Sequence, residues 1–159
     1  GMYAGFELYE YVAIRAGAEE YLDSEKYEYK PRDWAAAQKK GTSLAPFITT
    51  LNMLRKQHPA LQQLRNITFH RTDSDAMLCY SKRTGEDLVI VLVTVDPAIP
   101  REGGVHFTMP ALGLDWQDTF EVVDELSGQT MTLSEHNTFA LDPHRQCGHI
   151  LTVHRKEAT

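Results

Sequence analysis

The sequence predicts a mainly β chain, an antiparallel β-sandwich preceded by irregular chain and one helix. Three observations carry this reading. From residue 66 onward the apolar residues recur with period two in eight short runs, turn residues separate those runs, and a sustained 3.6-residue period occurs only in 42–58.

Residues 1–41 show neither period and read as loop or surface connection. Within them, Glu20 to Trp34 reads EYLDSEKYEYKPRDW, with three tyrosines and a tryptophan interleaved with five carboxylates, three cations and a proline. Irregular segments of this length are uncommon unless they are functional or anchored on other structure.

Residues 42–58 form the predicted helix. Leu44, Phe47, Ile48, Leu51, Met53 and Leu54 fall mostly on one face. Thr42 or Ser43 can cap the start, Pro59 closes the end, and Arg55 and Lys56 suit the negative end of the helix dipole.

The expected strands are 67–70, 76–82, 88–95, 105–109, 119–123, 131–133, 138–141 and 149–154. Turns are expected at Thr84-Gly85-Glu86, Asp96-Pro97, Gly103-Gly104, Ser127-Gly128 and Asp142-Pro143. The run LVIVLVTV, 88–95, is apolar at seven of its eight positions, so it should be a central strand covered on both faces. Eight short strands at this spacing imply an antiparallel sandwich.

Charge and composition exclude several partners. A net charge of -6, with no Lys/Arg run longer than Lys39-Lys40, removes the electrostatic footprint of nucleic-acid or anionic-membrane binding. No apolar run approaches a membrane span, and no signal-peptide pattern opens the chain, so a cytoplasmic location is expected. Cys79 and Cys147 show no ligand spacing and read as buried free thiols.

Motif chemistry is sparse. His58, His70, His106, His136, His144, His149 and His154 contain no i, i+4 pair on a helix, and His149 and His154 differ by an odd number, which points them to opposite faces of a regular strand. Surface or internally satisfied histidines are the expectation, with no metal site. No P-loop, G-x-S-x-G or G-x-G-x-x-G is present, so no cofactor is expected. Asp73, Asp75 and Asp142 each sit at a predicted turn and read as turn residues rather than catalytic carboxylates.

Against this background several segments resemble the alpha-amylase superfamily, glycoside hydrolase family 13. The opening GMYAGFELYE looks like the end of the eighth barrel strand, with its G-x-x-x-G-x-E pattern. LAPFITTLNMLRKQHPALQQL resembles the last barrel helix, and VLVTVDP, VVDELSGQT and NTFALDP resemble strands of the C-terminal sandwich. The block EEYLDSEKYEYKPRDW is most similar to the maltosyltransferases of that superfamily, which use alpha-maltose 1-phosphate to extend alpha-1,4-glucans.

The resemblance implies a domain plan, a function and a site. Residues 1–60 would be the end of a catalytic (β/α)8 barrel and 61–159 the C-terminal sandwich. Lys26 would contact the substrate phosphate with Tyr27 beside it. Asp23, Glu25 and Arg32 would hold the loop through ion pairs, and Trp34 would anchor it apolarly. The catalytic carboxylates of the family lie on earlier barrel strands, so no catalytic residue is assigned here and the chain alone is expected to be non-catalytic and structural. Alpha-maltose 1-phosphate and alpha-1,4-glucan would be the partners of the parent enzyme, and a homodimer is left open. Relatives often carry an aromatic residue where this chain has Met131, Thr132 and Leu133, which argues against sugar binding by the sandwich itself. The competing expectation is an autonomous sandwich serving as a carbohydrate-binding or interaction module. The aromatic content of the first forty residues opposes the flexible arm that such a module would carry.

Overall fold

The computed structural model describes residues 2, 4–22 and 30–153. They divide into two compact units, Gly1–Leu54 and Arg55–Thr159.

The first unit is built on local turns. A 3-10 turn at Phe6–Leu8 is followed by a short hairpin, in which Ala13 bridges to Tyr21 around Gly17 (φ 76°). Helix α1, Trp34–Lys39, comes next; residues 1–41 were expected to be irregular throughout, so this helix is a correction. Its signals are local: the Asp33 carboxylate caps the Ala36 N–H at 2.9 Å, three alanines favour the helix, and Gly41 (φ 72°) ends it in the left-handed region. Six residues without an apolar stripe carry no periodicity to detect. Helix α2, Ala45–Gln57, matches the predicted helix, and its start is capped by Ser43 Oγ, which accepts from Ala45 N at 3.2 Å.

The second unit is the sandwich. Its eight strands are β1 Ile67–Thr72, β2 Met77–Thr84, β3 Asp87–Thr94, β4 Arg101–His106, β5 Phe120–Asp124, β6 Thr130–Leu133, β7 His136–Leu141 and β8 Gly148–Val153. All pairings are antiparallel, in the order β6-β5-β8-β3-β2-β1-β4-β7. Strand β1 pairs with β2 through Ile67 to His70 and with β4 at Arg71 and Thr72, so it passes from one layer to the other. Side chains of both layers meet in one core that includes Cys79, Ile90, Leu92, Val105, Phe107, Leu112, Val122, Phe139 and Leu151.

Strand β3 lies between β2 and β8 with Leu88 to Leu92 all buried. Leu88, Ile90 and Leu92 face the main core, while Val89 and Val91 face a second cluster with Ala60, Leu61, Tyr80 and Ile150. This two-sided cover is what the apolar run predicts, and each such side chain contributes roughly 1.5–3 kcal/mol by its burial. The 3-10 turn Pro59–Gln62 is pinned to β3 by Asp87, whose carboxylate meets His58 Nδ1 at 2.7 Å and accepts from Ala60 N at 2.8 Å.

Three expectations are corrected in this unit. The strand expected at 105–109 is the end of β4, which stops at His106 before a short helix at Met109–Leu112. Gly103-Gly104 is not a turn but the middle of β4, paired with Phe139 and Thr138 of β7. A Cβ on Gly104 would lie 2.2 Å from Asp73 Oδ2, so the glycine serves a close approach within a strand. Cys147 is exposed, in the turn between β7 and β8, whereas Cys79 is buried and its thiol is pushed up to about 12 by burial.

Candidate functional site

In the first unit the residues of the conspicuous loop converge on two glutamates. Glu10 accepts from Arg32 Nε and Nη2, both at 2.9 Å, and pairs with Lys30 at 3.2 Å. A two-pronged guanidinium–carboxylate contact fixes orientation as well as distance. Gly5 makes room for it: its φ of 99° requires glycine, and a Cβ there would meet Glu10 Oε2 at 2.2 Å. Glu7 accepts from Trp34 Nε1 at 2.7 Å and from Gly5 N at 3.1 Å, while its backbone carbonyl accepts from Leu44 N at 2.8 Å. The Gly-x-Glu of the opening block thus ties the first turn to the starts of α1 and α2.

Both carboxylates are held below the ordinary range. The Trp34 hydrogen bond is the main cause for Glu7, and the Arg32 hydrogen bond for Glu10. Each therefore stays anionic across the neutral range.

Of the predicted site residues, Arg32 and Trp34 are placed by the structure. Arg32 makes an ion pair, with Glu10 as its partner. Trp34 is 49% exposed and donates to Glu7. Lys26, Tyr27, Asp23 and Glu25 lie outside the described residues. The segment that contains them is flanked by described chain held on both sides. Before it, Leu22 N donates to Val12 O at 2.6 Å and Ile14 N to Glu20 O at 2.9 Å; after it, Lys30 and Arg32 meet Glu10. The partners Glu7 and Glu10 could not be read from the loop itself, because they come from a turn more than twenty residues earlier.

Among the described residues of the sandwich, polar side chains cluster around Asp124 and around Asp73. Around Asp124, fully buried, Oδ2 accepts from Ser127 Oγ at 2.6 Å and Gln146 Nε2 at 2.8 Å and meets His149 Nδ1 at 3.0 Å. Oδ1 accepts from Leu126 N and Ile150 N, both at 3.2 Å. Burial opposes the charge on this carboxylate, yet these hydrogen bonds hold it below the usual range. The second cluster joins Asp73, His106 and His136 beside the β4–β7 pairing. Nothing in the spacing of these residues announces either cluster; strand register creates both. Among the described residues no group of three or more His, Cys, Asp or Glu side chains is arranged to hold a metal ion, and no helix is long and apolar enough to cross a membrane.

Comparison with known proteins adds a family. The family model described as "GLGE, C-terminal" matches residues 69–153. Alpha-1,4-glucan:maltose-1-phosphate maltosyltransferase 2 of Streptomyces coelicolor is 49% identical over 158 residues, covering 99% of this chain and 24% of its own length. The maltosyltransferase of Mycobacterium tuberculosis is 49% identical over 156 residues, covering 96% of this chain and 22% of its own. The chain thus spans about a quarter of the length of these relatives. Among solved structures, a maltogenic alpha-amylase from Thermotoga neapolitana superposes with a TM-score of 0.54 at 11% identity, over 84% of this chain and 28% of that one. A variant of AmyP in complex with maltotriose gives 0.53 at 19% identity, over 69% of this chain and 20% of that one. At these identities the superpositions bear on the fold alone, which they identify as that found in alpha-amylase structures.

Proposed function

The chain belongs to the GLGE, C-terminal family, and on that premise we propose that it is the C-terminal part of an enzyme that transfers maltosyl units from alpha-maltose 1-phosphate to alpha-1,4-glucans. The observation that carries the reading is near-half identity, over nearly the whole chain, to proteins named for that reaction.

Within the proposal the two units have different tasks. The sandwich has a structural task, with the side chains of β3 and of the strands that face it buried in its two apolar clusters. The first unit carries the loop that handles the sugar phosphate. A phosphate leaving the anomeric carbon gains charge in the transition state, and a cation with hydrogen-bond donors beside it lowers the barrier. Lys26 supplies a compact charge with three donors and Tyr27 a neutral hydroxyl donor. Arg32, held by Glu10, and Trp34, held by Glu7, support the flank of that segment.

No carboxylate of this chain is given the role of nucleophile or general acid, so the chain by itself is proposed to be inactive. A cytoplasmic location belongs to the same proposal, since a doubly charged sugar phosphate does not cross a bilayer unaided.

The test is a chimera in which this chain replaces the matching segment of the Streptomyces coelicolor enzyme. Release of phosphate from alpha-maltose 1-phosphate in the presence of glucan, by the chimera and not by the chain alone, is the expected result.

A further inference from the structure

Trp34 is held by its polar edge. The indole Nε1 donates to Glu7 Oε1 at 2.7 Å, and the other Glu7 oxygen accepts from Gly5 N at 3.1 Å, so the acceptor is itself fixed to the first turn of the chain. Yet Trp34 is 49% exposed. A tryptophan that anchored its segment by burial would hide most of its ring, because the apolar area removed from water is what stabilises such an anchor. Here the N–H is satisfied and the ring is left half open.

The ring lines an open groove of about 540 Å3 with Pro31, Arg32, Asp33 and Ala35, a volume in the range of small-ligand sites. Pro31 is stiff in φ, and Arg32 is fixed by two hydrogen bonds to Glu10, so the wall is set before any ligand arrives. Trp34 is the one large apolar side chain among these five residues. The groove therefore lacks the contiguous apolar centre that a protein interface buries.

A sugar ring asks for less. A glucosyl unit has a face of C–H bonds rimmed by hydroxyls, which suits the electron-rich face of one indole with polar groups at its border. Asp33 supplies such a group: it is exposed, its Oδ1 accepts from Ala36 N at 2.9 Å, and a carboxylate has further lone pairs for hydroxyl donors. Charge then selects between the two substrates of the proposed reaction. Among the described residues, the carboxylates of Glu7, Glu10 and Asp33 outnumber the cations Lys30 and Arg32 that accompany them. That surplus disfavours a sugar phosphate and leaves a neutral glucan unaffected.

We propose, resting on the reading of this chain as part of a maltosyltransferase, that the exposed indole face of Trp34 is a stacking platform for a glucosyl unit of the neutral alpha-1,4-glucan acceptor. Glu7 is its positioning residue, holding the ring through Nε1.

Fluorescence titration of maltoheptaose into the untagged 159-residue chain tests this, in a Trp116→Phe background that leaves Trp34 as the one tryptophan, with thermal melting as the folding control for each variant. The expected result is a saturable change in Trp34 emission that inorganic phosphate neither causes nor competes with. Calorimetry in the unsubstituted chain should show maltoheptaose affinity reduced by about tenfold or more in Trp34→Ala and by less in Trp34→Phe. Glu7→Ala should weaken binding, while Glu7→Gln, whose amide oxygen still accepts the indole N–H, should retain it. Absence of a saturable change, or equal affinity of a folded Trp34→Ala variant and the unmodified chain, overturns the proposal. Equal weakening by Glu7→Gln and Glu7→Ala overturns the positioning role. The measurement needs no turnover, so it separates two failures: maltoheptaose binding at Trp34 alongside an inactive chimera would reject the reaction alone, and an active chimera whose Trp34 ignores maltoheptaose would reject the platform alone.

Discussion

Asp124 Oδ2 lies 3.0 Å from His149 Nδ1 in a site where the aspartate side chain has no solvent exposure. The carboxylate gathers the turn after β5, the turn before β8 and the backbone of β8 itself, at Ile150 N.

Removing its charge while keeping its shape should therefore be costly. In Asp124→Asn one oxygen becomes an NH2 group, and Ser127, Gln146 and His149 then face a donor or lose an acceptor. A loss of about 3 kcal/mol is expected, as for breaking a buried charged network. Urea unfolding measures it, and a loss below about 0.5 kcal/mol would show that the hydrogen bonds are not formed. Because the folded carboxyl is held below its usual range, its contribution is present above that range and disappears as acid protonates it.

His70 predicts a second, separate acid transition. Its Nδ1 accepts from Thr108 N at 3.1 Å and its Nε2 meets Ser81 Oγ at 2.8 Å, so the neutral ring satisfies both neighbours. Burial lowers its pKa to about 4. The unfolded chain takes up this proton near pH 6.5, so stability is full above that value and falls as pH drops toward 4, by about 3 kcal/mol in all. Unfolding free energies between pH 7.5 and 4.5 should show this slope in the unmodified chain and lack it in His70→Gln. The same slope in both proteins would assign the proton elsewhere.

Two glycines that both forbid a side chain should differ in how firmly they do so. A Cβ on Gly148 would meet the Leu92 carbonyl at 2.7 Å, a backbone atom held between β3 and β8. A Cβ on Gly104 would meet the Asp73 carboxylate, which can rotate away. Gly148→Ala is expected to cost about 2–3 kcal/mol, as an overpacked site does, and Gly104→Ala about 1 kcal/mol. Paired melting experiments check the order; a larger loss for Gly104→Ala would contradict it.

Most strands were legible because each half-buried strand writes its two faces into the sequence as alternation, and β3, buried on both, writes a continuous apolar run. What escaped depends on residues far apart in the chain. Gly103 and Gly104 look like a turn until Asp73 is placed against them, and Cys147 looks buried until the turn before Gly148 is built. Helix α1 escaped for the opposite reason, since its cap at Asp33 and its stop at Gly41 are local but its six residues hold no apolar stripe. For the candidate site, the loop announced itself by composition. Its partners Glu7 and Glu10 did not, because a salt bridge across twenty-two residues leaves no spacing rule behind.

The flank of the loop gives a functional prediction within the proposed reaction. In the chimera, Glu10→Gln should release Arg32 and Lys30 and lower kcat/KM for alpha-maltose 1-phosphate, while Glu10→Asp should recover part of it. Unfolding temperatures of both variants within a few degrees of the parent would separate positioning from stability, and an unchanged kcat/KM in Glu10→Gln would remove the role.

The most direct measurement is phosphate release from alpha-maltose 1-phosphate by that chimera, with glucan as acceptor, before and after Lys26→Ala. The account predicts an active chimera, an inactive isolated chain, and a loss of about 2–4 kcal/mol of transition-state stabilisation in the variant, with donors that lack phosphate nearly unaffected. A folded chimera without transfer activity would contradict the assignment of the chain to this reaction, and an equal loss with both kinds of donor would contradict the phosphate role of Lys26.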